Sequence, residues 1–90
     1  MKEQITVIFE NERLRIETIR SFGNPSPEKF WYDQAEDEWA QVTKGSAVLE
    51  FEKSKAALSG GEHYYIKAHK RHKVAYASPD CEWLCVFIKN

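Results

Sequence analysis

Hydrophobic and polar positions alternate with period two along almost the whole chain, the signature of half-buried strands. ITVIF (5–9) and RLRIETI (13–19) flank the polar turn Glu10-Asn11-Glu12 and read as a hairpin. SFGNPSPEK, with its glycine, asparagine, serines and prolines, reads as a loop. Strands are then predicted at 28–34 (EKFWYDQ) and 38–44 (EWAQVTK), on either side of Ala35, Glu36 and Asp37. Gly45 breaks the chain before a strand at 46–52 (SAVLEFE), and KSKAALSGGE reads as a connection ending in a Gly-Gly turn. Strands at 64–67, 72–77 and 81–89 complete the set, with Pro79 and Asp80 making the last turn. Ser26-Pro27-Glu28 has the form of a helix start, but Phe-Trp-Tyr follows and no 3.6-residue apolar stripe develops. Short strands at this spacing predict an all-β sandwich or barrel, filling one domain over residues 1–90.

The same alternation sorts the faces. If 35–37 is a hairpin loop, Gln34 and Glu38 stand opposite each other and share a face with Phe30, Tyr32, Ala40 and Val42. That face is the more apolar one and is predicted to point inward, leaving Trp31 and Trp39 outside. Ala47, Leu49 and Phe51 form the inward set of the next strand. In HKVAYA, Val74 carries His72 and Tyr76 inward with it. The last strand is apolar on both faces and is expected to be covered on both. A glutamine, a glutamate and a histidine thus fall among interior neighbours. A buried carboxylate without partners costs several kcal/mol or becomes protonated, so an ion or a ligand offering donors is the natural complement.

Composition narrows the partners. Net charge is −1, from 13 basic and 14 acidic residues, which leaves no global field for duplex DNA or an anionic membrane. MKEQITVIFE lacks a long apolar leader core, and no run has the roughly 18–20 apolar residues of a membrane span, so a cytoplasmic location is expected. Cys81 and Cys85 are four strand residues apart, roughly 13 Å, too far to pair, and read as buried reduced thiols. The run KAHKRHK (67–73) is basic in an aromatic-rich chain, one recipe for single-stranded nucleic acid, but it is short and EDE offsets it; a solvated turn is the preferred reading.

At this point the sequence resembles the cupin superfamily. That family's first motif places two histidines one apart, then a glutamate, then a glycine after six more residues. Here Glu38 and Gly45 have that spacing, with Tyr32 and Gln34 at the histidine positions. The second motif runs from a glycine to a histidine, matched by Gly61 and His72, with Lys67 and His69 replacing the usual proline and second glycine. SPEKFWYDQAEDEWAQVTKG and IKAHKRHKVAY look like segments of small bacterial single-domain cupins. The resemblance implies a double-stranded β-helix, or jelly-roll barrel, over nearly the whole chain. It also implies a divalent metal (iron, manganese, zinc or nickel) at a site that keeps Glu38 and His72. Gln34, through its carbonyl oxygen, and His69, in the turn before His72, are the candidate further ligands, while Tyr32 and Tyr76 either line the pocket or fill the core.

The leading expectation is therefore a cupin that binds a small polar molecule inside its barrel with a divalent metal, its reaction unassigned. A metal-free binding module is the alternative, since two histidines of the motif are replaced. Nucleic-acid binding through the basic turn is the third reading and the weakest. A homodimer is also predicted, because Trp31, Trp39 and the two-sided last strand carry more apolar surface than so short a chain readily covers.

Overall fold

The computed structural model describes residues 2–27 and 29–90. Eight strands follow in order: β1 (Gln4–Glu10), β2 (Leu14–Arg20), β3 (Asp37–Lys44), β4 (Ser46–Phe51), β5 (Lys55–Ser59), β6 (His63–Ile66), β7 (His72–Ala77) and β8 (Glu82–Ile88). They form a five-stranded sheet, β1-β2-β8-β3-β6, and a three-stranded sheet, β5-β4-β7, with every pairing antiparallel. No helix is present among the described residues, so none is long and apolar enough to cross a membrane.

The alternating apolar positions face each other between the sheets. Ala40 and Val42 of β3, Ala47, Leu49 and Phe51 of β4, and Trp83, Cys85 and Phe87 of β8 are all buried in one cluster. The opposite face of β8, with Leu84 and Val86, is half-buried, and Ile88 at its end is exposed. All of β1 is exposed, since it is the outer strand of its sheet.

Three expectations about elements change. The strand predicted at 28–34 does not form in residues 29–34; Glu28 lies outside the described residues. Phe30 N–H donates to the Pro27 carbonyl at 3.0 Å, so the segment starts in a turn and then touches β7 through a single bridge, Tyr32 to His72. Residues 55–59, expected in a connection, pair with β4 from Glu50↔Lys55 to Ser46↔Ser59 and bury Leu58. In β7, Leu49 pairs with Val74 but Val48 pairs with Tyr76, so Ala75 is an extra residue and the strand bulges there. A bulge reverses the inward–outward alternation beyond it. Ala77 accordingly points in and Tyr76 is 50% exposed, which corrects its expected place in the pocket.

Candidate functional site

Two sheets bring the central pair together. Glu38 lies on the inward face of β3 with Ala40 and Val42; His72 opens β7 in the other sheet. Both are buried, Glu38 at 8% and His72 at 4% exposure. His72 Nδ1 is 2.9 Å from the Lys70 carbonyl oxygen. A carbonyl only accepts, so Nδ1 carries the hydrogen and fixes the tautomer. Nε2 is thereby turned to the interior, 3.7 Å from Glu38 Oε1.

Other donors reach the same carboxylate. Gln34 Nε2 donates to Glu38 Oε1 at 3.0 Å, and the Cys85 thiol hydrogen-bonds the carboxylate from β8. Burial raises the Glu38 pKa above its ordinary 4.5; Gln34, His72 and Cys85 oppose that rise, while Glu17 adds to it. The Cys85 pKa is driven far up, first by burial and then by Glu38. It is therefore a hydrogen-bond donor to Glu38, with no thiolate to act as nucleophile. Tyr32 exchanges backbone hydrogen bonds with His72, at 2.7 and 3.1 Å, and stacks on its imidazole with centroids 5.5 Å apart.

These groups border a cavity of about 150 Å³ between the sheets. Glu3 and Glu17 contribute further carboxylates, and Leu49, Ile66, Trp83 and Phe87 supply apolar wall. Of the residues singled out in the sequence, Gln34, Glu38, His72 and Tyr32 meet here. Gln34 and Glu38 meet by a different route from the hairpin expected: residues 35–37 turn the chain from the Tyr32 crossing into β3, and the side chains close across that turn.

His69 stands outside the group. Its φ of 64° turns the ring to the surface, where Nδ1 lies 2.8 Å from Asp33 and the side chain is 69% exposed. Only its backbone N–H approaches the site, donating to the Gln34 carbonyl at 2.7 Å. Sequence reasoning missed Cys85, Glu17 and Glu3. Cys85 and Glu17 are register partners on β8 and β2, a long-range pairing that alternation alone does not disclose.

The donor set does not fit a resident divalent metal. Catalytic zinc and iron sites take at least three protein ligands. Here Glu38 and His72 converge, but Gln34 turns its amide nitrogen to Glu38 at 3.0 Å and His69 faces Asp33 at the surface. Among the described residues no group of three His, Cys, Asp or Glu side chains is arranged to hold an ion. The basic turn offers little stacking surface either. Lys70 lies over Phe51 at 4.5 Å, and Arg71 and Lys73 lie over Trp31 at 5.5 and 5.0 Å, so aromatic faces are already covered by the chain's own cations. Trp39 is covered separately, by His63 at 5.4 Å.

Fold and site together define a small jelly-roll barrel with a polar cluster at the heart of its cavity. A protein of Ralstonia eutropha JMP134, provisionally named a mannose-6-phosphate isomerase, is 36% identical over 98% of this chain and 85% of its own, with a TM-score of 0.93. A cupin superfamily protein of Desulfitobacterium hafniense (18% identity, 98% of this chain and 78% of its own, TM-score 0.83) and KdgF of a Halomonas species (19%, 99% and 82%, TM-score 0.85) share the fold. No family model and no curated protein matches the chain. The chain belongs to the cupin superfamily.

Proposed function

We propose that the barrel interior binds one small polar molecule directly through Glu38, His72 and Gln34, without a resident metal. The observation that carries this reading is the approach of Glu38 Oε1 to His72 Nε2, 3.7 Å apart and donated by opposite sheets, at the wall of the cavity. A carboxylate acceptor and an imidazole nitrogen of fixed tautomer, set among apolar walls, orient a small ligand by a few placed polar groups. The name given to the Ralstonia protein points to a sugar phosphate. For this chain that substrate is a poor fit, because no lysine or arginine among the described residues lines the cavity to receive a phosphate. Buried reduced Cys81 and Cys85 support a reducing, cytoplasmic location.

The test is thermal denaturation of untagged protein with manganese, iron, nickel or zinc, and separately with a panel of small amines, alcohols, sugars and acids. A molecule that binds only the native state raises Tm by mass action. We expect no response to the metals and a rise with at least one organic class, lost in His72→Ala. A rise with a metal that Glu38→Ala abolishes would restore the four-ligand metal reading, and silence across the organic panel would contradict binding. The chain is also proposed to pair with a second copy, through the exposed edge strand β1.

A further inference from the structure

The charge of the cavity wall specifies the ligand more narrowly than its size does. Three carboxylates border the space: Glu3 just before β1, Glu17 on β2 and Glu38 on β3. Arg15 neutralises one of them, its Nε donating to Glu17 at 2.9 Å while its remaining nitrogens reach Glu36 at 3.2 Å. It lies over Phe87 rather than in the cavity wall. Glu3 and Glu38 thus face a space lined by no lysine or arginine among the described residues, with His72 the one basic side chain there. The Glu3 pKa is raised by burial and then by Glu17; that of Tyr32 is raised by burial and then by Glu3.

The rest of the wall suits the body of a cation. Tyr32, Trp83 and Phe87 offer aromatic surface, which attracts cationic groups through the electron-rich ring face. Ile19, Leu49 and Ile66 offer carbon. A space of about 150 Å³ holds a body about the size of benzene. An anion entering here meets Glu3 and Glu38 with no guanidinium or ammonium to offset them.

We infer that the ligand of this cavity is a small organic amine, bound as its ammonium, with N–H donating to Glu38 and an apolar body of benzene size against Trp83 and Phe87. The inference rests on the proposed binding role of the barrel interior and adds the ligand's charge. Binding draws a carboxylate into its ionised form, so affinity for the amine falls as pH drops and Glu38 and Glu3 take up protons.

The experiment uses the full chain and three probes of one carbon skeleton: cyclohexylamine, cyclohexanol and cyclohexanecarboxylate. Each is titrated calorimetrically. The amine is expected to bind at least tenfold more tightly than the alcohol, and the carboxylate to be undetectable. Glu38→Gln should weaken the amine tenfold or more and the alcohol by much less, so that the preference for the amine disappears. Should that variant not fold, Glu3→Gln at the cavity mouth should lower amine affinity several-fold. Equal affinity for alcohol and amine, or a preference for the carboxylate, overturns the charge assignment while leaving the binding site. Absence of binding by all three overturns both.

Discussion

Glu38 is where burial, hydrogen bonding and charge compete most directly. Its pKa is raised because desolvation outweighs Gln34, His72 and Cys85. An acid whose native pKa lies above its unfolded value favours the fold at low pH, and that contribution is lost as pH rises through the native value. Glu38→Gln removes the buried charge while keeping the shape. The variant should match wild type below about pH 4.5, the ordinary value, and gain on it as pH rises towards neutrality. A gain of about 1 kcal/mol would raise Tm by about 4–8 °C in a domain of this size. Urea denaturation of both proteins across pH checks it; a variant less stable at neutral pH would mean that the ionised carboxylate is fully compensated. The inward positions of Glu38 and His72 were legible in the sequence, because each shares a strand face with apolar residues and sits at a recognisable distance from Gly45 and Gly61. Tyr76 was not, since one extra residue at Ala75 reverses its side and nothing local in HKVAYA marks the bulge. Cys85 looked like any apolar strand residue until β3 placed Glu38 beside it.

Among the elements, strands with strict alternation were legible and those set by long-range pairing were not. β3, β4 and β8 declare themselves by buried residues at every second position. β5, with lysine and alanines and one buried leucine, exists because β4 offers it an edge. FWYDQ is rich in strand-forming residues yet crosses to β7 with a single bridge, since the preceding prolines and turn fix its direction. The turn between β3 and β4 depends on Gly45, at φ 78°. A Cβ there would fall 2.6 Å from Asp80 Oδ1 and 3.0 Å from the Cys81 Cα. The Ser78 hydroxyl, which donates to Asp80 at 2.8 Å and accepts from Ser46 N–H at 2.9 Å, occupies the same corner. Left-handed backbone costs a residue with a side chain about 1–3 kcal/mol before any clash is added. Gly45→Ala should therefore lose at least about 2 kcal/mol in chemical denaturation. A loss under about 0.5 kcal/mol would mean that the corner yields.

For the whole molecule, two sheets share one core, and β1 forms an outer edge of the larger sheet. β1 exposes Ile5, Val7, Ile8 and Phe9, while its outer side has no strand beside it. Trp31 and Trp39 are covered by Arg71, Lys73 and His63, which leaves β1 as the surface for the proposed contact with a second copy. An exposed apolar edge strand is a template for pairing with another chain. Light scattering at micromolar concentration should give twice the monomer mass, and Ile8→Lys should halve it; a wild-type monomer contradicts this assembly. Delivery of Glu38 and His72 to one point by the two sheets can be read from the proton–nitrogen correlation spectrum of the histidine rings. It is recorded for wild type and Glu38→Gln at a pH where the rings are neutral. His72 should carry its hydrogen on Nδ1, and its Nε2 resonance should move on substitution while those of His63 and His69 stay in place. A hydrogen on Nε2, or an unmoved resonance, would contradict it.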